Sequence, residues 1–164
     1  MLVADGVLYL LDPPYPALGL IDEPAHLATA ALVVLVLRVR DRTLAAAALV
    51  ASVAIDLDHL PQELGADLLT EHTTRPVTHS LAGLVVITAV AAAVSRRRAV
   101  AAGVALGIAA HLFRDLGTGG GVPLLWPLTD SELEIPYVVY IALLGALALK
   151  FAFAISRGHS KASR

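Results

Sequence analysis

The chain has 164 residues, of which 57% are hydrophobic and only 16% charged. With a mean hydropathy of +0.75, that balance excludes an ordinary soluble domain and points to a single membrane domain, 1–164. The formal net charge of -2 averages over a strong segregation along the sequence; no nucleic-acid partner is expected, and the lack of cysteine leaves nitrogen and oxygen as the metal-binding atoms.

Residues 1–22 read as an interfacial or re-entrant segment. Met1 to Leu11 is apolar apart from Asp5, is short for a span, lacks the basic leader of a signal peptide and ends at Pro13-Pro14. A bundle of about five transmembrane helices follows over 23–156, making the chain an all-α membrane protein. The first run, Leu27 to Leu37, starts behind Asp22, Glu23 and Pro24, a helix-start signature. The second, Leu44 to Ile55, runs into Asp56-Leu57-Asp58-His59-Leu60-Pro61, where the proline is expected to close it. The third extends from about Thr78 to Val94, the fourth from Ala99 to Phe113, and the fifth from near Pro136 to about Ile155. Several fall short of the ~20 apolar residues that a ~30 Å hydrocarbon core requires, so their polar ends must count toward the span. Their many alanines permit close helix packing.

Charge sorts along this frame. Arg38, Arg40 and Arg42 separate runs one and two, and Arg96, Arg97 and Arg98 separate three and four. Arg157, Lys161 and Arg164 lie in the tail, 157–164, with Lys150 on the same side. Only Arg75 and Arg114 fall on the other side, whereas Asp41 is the sole acid in the basic loops. The positive-inside rule makes the arginine loops and the carboxyl terminus cytoplasmic and the amino terminus external, in a multi-pass protein of the cell membrane.

This topology carries His26, Asp56, Asp58, His59, His79, His111 and Asp115 to the outer side, from four helices and at similar depth. Ionisable groups at membrane depth cost roughly 2.5–3.5 kcal/mol on insertion scales. One His or Asp alone can simply bond a neighbouring helix or sit at the interface; their convergence is what suggests a metal. His111 and Asp115, spaced i, i+4, share a helix face. Asp56 and Asp58, spaced i, i+2, meet one ion only where their helix terminates. The ligand set His26, Asp56, Asp58, His79, His111 and Asp115 suits one or two divalent ions, with Zn or Mn favoured. His59 is expected just outside the cluster, His72 in a loop, and His159 in the tail.

The motifs Asp56-Leu57-Asp58-His59, Arg75-Pro76-Val77-Thr78-His79-Ser80, His111-Leu112-Phe113-Arg114-Asp115-Leu116-Gly117-Thr118 and Gly121-Val122-Pro123-Leu124-Leu125-Trp126-Pro127 occur in that order. Across roughly 23–128 the chain resembles the LexA-regulated, inner-membrane (YdjM-like) metal-dependent hydrolase family, with His26 matching that family's early histidine. It departs in one place: the family usually carries His-Arg where this chain has Thr74-Arg75, so either His72 substitutes or that histidine's role is absent. The resemblance implies a membrane-embedded metal hydrolase.

A metal held by these residues would activate water, with Asp58, another cluster carboxylate or His59 taking the proton. Arg75 and Arg114 are candidates to orient an anionic substrate, although Arg114 has the equal alternative of pairing with an acid. Gly119 to Gly121 either admit a ligand close to the backbone or form a flexible loop. Trp126, Tyr137 and Tyr140 are expected in an interfacial belt. A site at the outer leaflet suits a lipid or lipid-linked phosphoester. A metal-binding transporter or channel is the alternative function, and a cluster that only staples helices is a third.

Overall fold

The computed structural model describes residues 2–11, 17–70, 73–118 and 120–162. Pro13, Pro14 and His72 lie outside these described residues. Among the described residues, seven α-helices are formed: α1 (Leu2–Leu11), α2 (Ala17–Val36), α3 (Arg42–Ala54), the four-residue α4 (Leu60–Glu63), α5 (Leu81–Ser95), α6 (Arg98–Thr118) and α7 (Tyr137–Ala162). A 3₁₀ turn, Ile55–His59, joins α3 to α4. No strand occurs among the described residues; an isolated bridge pairs Val122 with Leu133.

Among the described residues, four segments are long and apolar enough to cross a membrane: Gly19–Val36, Arg42–Glu63, Arg98–Thr118 and Tyr137–Ser156. The shorter apolar α5 makes the fifth member of the bundle. Valines and leucines such as Val85, Val138 and Leu149 point outward and exposed, the pattern of helices whose solvent is lipid. At about 15 Å, α1 is too short to cross.

The centre of the bundle is the contact between α3 and α6. A Cβ on Gly103 would lie 2.4 Å from the Leu44 carbonyl oxygen, and one on Gly107 would lie 2.2 Å from that of Ala48. One turn further, His111 Nδ1 reaches the Ser52 carbonyl at 2.9 Å. Three rungs in the same order on both helices mean that α3 and α6 run parallel. Only a small-xxx-small stripe, Gly103-x-x-x-Gly107 against Ala48, lets backbones approach this closely. With α3 and α6 parallel, the arginines at the starts of both helices share one end of the bundle, and Asp56, His111 and Asp115 share the other.

Local signals define the helix ends. Asp41 caps α3, its carboxylate accepting from the Thr43 and Leu44 amides at 2.8 and 3.1 Å. Ser80 caps α5 by accepting from the Gly83 amide at 3.0 Å, so this helix begins at Leu81, and Thr78 and His79 precede it. Pro24 does not start α2 but lies inside it. Pro61 does not close its helix either; it occupies the first turn of α4, where its missing N–H costs nothing. Tyr140 is no interfacial belt residue: it is fully buried against Gly117 and Phe113.

The loop between α6 and α7 folds back over the end of the bundle that carries Asp56, His111 and Asp115. The Leu81 amide donates to the Leu124 carbonyl at 3.0 Å, and that of Ile135 to the Leu116 carbonyl at 2.7 Å. Glu132 accepts from both the amide and the hydroxyl of Thr74. This loop therefore braces the segment that carries Arg75, Thr78 and His79.

Candidate metal centre

His79 is the hub. Its ring is fully buried, held by a loop that lies so close to α5 that a Cβ on Gly83 would strike the Thr78 carbonyl. Its Nε2 faces Asp56 Oδ1 at 3.1 Å and His111 Nε2 at 3.1 Å. Its Nδ1 lies 3.3 Å from Asp58 Oδ2. Asp56 and Asp58 thus meet opposite edges of one imidazole. An α-helix would send residues i and i+2 to different faces; the tighter 3₁₀ turn at Ile55–His59 reaches the ring with both. In the same turn His59, three residues after Asp56, stacks above it, with Nε2 3.7 Å from Asp56 Oδ1. His59 therefore stands in the cluster rather than just outside it.

Around His111 the geometry is equally tight. Its Nε2 lies 3.0 Å from Asp115 Oδ2 and 3.4 Å from Asp56 Oδ1, and His79 Nε2 lies 3.7 Å from Asp115 Oδ2. The His111 Nδ1–H donates to the Ser52 carbonyl, which turns the Nε2 lone pair of the neutral ring toward the cluster. His26 stacks on His111 with ring centroids 3.8 Å apart. Its Nε2 lies 3.4 Å from both Asp115 Oδ1 and Asp22 Oδ2. Burial opposes the charged form of His79, yet its contacts with Asp56 and Asp58 outweigh that effect and raise its pKa above the ordinary 6.5.

A divalent ion fits this donor set. With metal–ligand distances of about 2.0–2.2 Å, tetrahedral ligand atoms stand about 3.3–3.6 Å apart. Five of the six separations among Asp56 Oδ1, His79 Nε2, His111 Nε2 and Asp115 Oδ2, all but that between the two carboxylates, run from 3.0 to 3.7 Å. Two triads or larger groups can be drawn from the same atoms, Asp56, Asp58, His59 and His79 on one side and His26, His111 and Asp115 on the other. Asp58 Oδ1 and Asp115 Oδ1 are buried without a hydrogen-bond partner, a state that a cation relieves.

A family model of the YdjM inner membrane protein matches residues 21–163. The chain belongs to that family. No curated protein and no solved structure matches it. In this YdjM-family member the two arginines singled out by charge separate sharply. Arg75 is part-exposed, and its Nη1 donates to Asp115 Oδ2 at 2.8 Å. Arg114 is fully buried: Nη1 donates to Asp5 Oδ1 at 2.7 Å and Nη2 to Asp22. Of the two roles open to it, pairing with acids is the one observed.

Three site residues were not singled out by the sequence reading. Asp5 of α1 is buried, accepting from Arg114 and from the Tyr137 hydroxyl at 3.1 Å. Asp22 joins Arg114 to His26, and its i, i+4 spacing from His26 repeats the His111–Asp115 signal. Glu23, with Oε2 buried and unpartnered, lines a 290 Å³ cleft beside Asp22, Asp56, His59, Thr74 and Arg75. Its i, i+3 spacing from His26 was the available signal.

Proposed function

We propose that this YdjM-family protein is a membrane-embedded, metal-dependent hydrolase acting on a lipid or lipid-linked phosphoester at the outer face of the cell membrane. The observation that carries the reading is the convergence of Asp56, His79, His111 and Asp115 at ligand distances inside a bundle of apolar helices. His26 and Asp58 complete the proposed ligand set, for one or two ions. The absence of thiolate favours Zn or Mn.

A bound divalent cation would supply Lewis acidity, making water nucleophilic near neutral pH. The chain's own groups do the rest. His59 and Asp58 sit at the edge of the cluster and part-exposed, placed to take the proton from water and return it to the leaving oxygen. Arg75 uses one donor on Asp115, and its planar fork keeps further donors for an anionic group in the 290 Å³ cleft. The arginine-rich turns at the opposite end of the bundle favour a cytoplasmic carboxyl terminus, which puts the cleft at the outer leaflet.

Metal analysis of the purified full-length protein, followed by phosphate release from phosphatidic acid vesicles with and without chelator, tests this reading. Bound Zn or Mn together with chelator-sensitive release is expected, and His111→Ala should lose both. Bound metal with ion flux through proteoliposomes and no phosphate release would favour a transporter. A metal-free protein would leave the cluster as a helix staple.

A further inference from the structure

We infer that the cleft between α3 and α5 is the binding groove for an aliphatic chain of the lipid substrate, whose polar end leaves the groove past Asp58 and Thr78 toward the ligand cluster. The substrate class rests on the hydrolase reading; the groove itself rests on its own geometry. It encloses 1020 Å³. Val50 and Ala54 of α3 form one wall, Val90 and Val94 of α5 the other, and Val104 of α6 the floor. At its outer end the lining changes from apolar to Asp58 and Thr78, whose side chains bond each other. Asp58 Oδ2 is in turn 3.3 Å from the hub histidine, His79. The groove is therefore continuous with the ligand cluster rather than a separate surface feature.

Its length identifies the occupant. It follows α3 from Arg42 to Ala54, about 20 Å at 1.5 Å per residue. One leaflet of a ~30 Å hydrocarbon core is about 15 Å deep, so an extended acyl chain anchored at the outer rim runs down the groove within the hydrocarbon. The walls are small or β-branched and carry no polar group between Thr43 and Asp58, which suits a hydrocarbon and offers nothing to a polar ligand.

The test places the full-length protein in phosphatidylglycerol vesicles doped with a phosphatidylglycerol bearing a photoreactive diazirine on one acyl chain, and maps the adducts by mass spectrometry. Labelling should concentrate on α3 and α5 groove residues. Ala54→Trp, at the outer mouth, should reduce it about tenfold or more, because several methylenes lose burial at about 0.8 kcal/mol each. Ala46→Trp, at the far end, should spare an octanoyl probe and exclude a palmitoyl one. Val138→Trp on the exposed face of α7 should change neither, and all three variants should retain metal. Adducts spread evenly over the lipid-facing helices, or equal exclusion of both probes by Ala46→Trp, would each overturn the groove. Because the readout is binding, labelled groove residues without phosphate release would refute the hydrolase and leave the groove standing.

Discussion

Arg114 shows how much a single buried charge organises here. It is fully buried between Asp5 and Asp22, which come from α1 and α2. Arg114→Met keeps the volume but strands two carboxylates, a loss of about 3–5 kcal/mol, to be read as a lowered unfolding midpoint in detergent. His79 makes a second prediction at this scale. Its raised pKa means that the imidazolium's pairing with Asp56 and Asp58 stabilises the metal-free protein in full below pH 6.5 and fades as pH climbs through the raised value. Ligation needs the neutral ring, so stabilisation by an added ion moves the opposite way. The midpoint shift on adding Zn²⁺ should therefore be larger at about pH 8 than at about pH 6. Equal shifts would remove His79 from the ligand set. The sequence reading found these histidines because each is an ionisable group in an apolar run; it missed the partnership of Asp5 because nothing in a ten-residue apolar stretch says which helix it will meet.

Among the elements, α3 and α6 determine whether the cluster forms at all. His111 is aimed by the Ser52 carbonyl, and that contact is one turn from the place where Gly107 touches Ala48. Gly107→Val must push the helices apart, since even a Cβ would lie 2.2 Å from a carbonyl oxygen. Overpacking of this kind costs about 1–3 kcal/mol. Metal content should fall with it although no ligand is altered; a destabilised variant that keeps its full metal content would show that the cluster is independent of this contact. The alanines that permit close packing were read from the sequence, whereas the Gly103-x-x-x-Gly107 stripe was not singled out and the parallel register of α3 and α6 was not legible. Helix boundaries were less legible still: Pro24 and Pro61 read as punctuation, but Pro24 lies within a helix and Pro61 within a first turn, positions that the surrounding backbone can tolerate.

For the molecule as a whole, the proposed orientation is open to a direct test because the chain lacks cysteine. Ser131→Cys, in the exposed loop after α6, should react with an impermeant maleimide added outside intact cells. Ser156→Cys, at the exposed end of α7, should react only after the membrane is opened. The reverse pattern would move the cluster to the cytoplasmic face and remove the outer-leaflet substrate from consideration.

What residue order settled by itself was the solvent and a bundle of about five helices: apolar runs bounded by arginines are a one-dimensional signal, since burying each backbone in lipid demands a helix wherever the run is long enough. It also placed the imidazoles and carboxylates at one end, through charge bias alone. Which of them stand within ligand distance of one another, which arginine stays part-exposed, and where an apolar groove opens are matters of distance between segments far apart in sequence. Only the packing of α3 on α6, the 3₁₀ turn after α3 and the fold-back of the last loop decided those, because such contacts depend on how surfaces fit rather than on any local pattern.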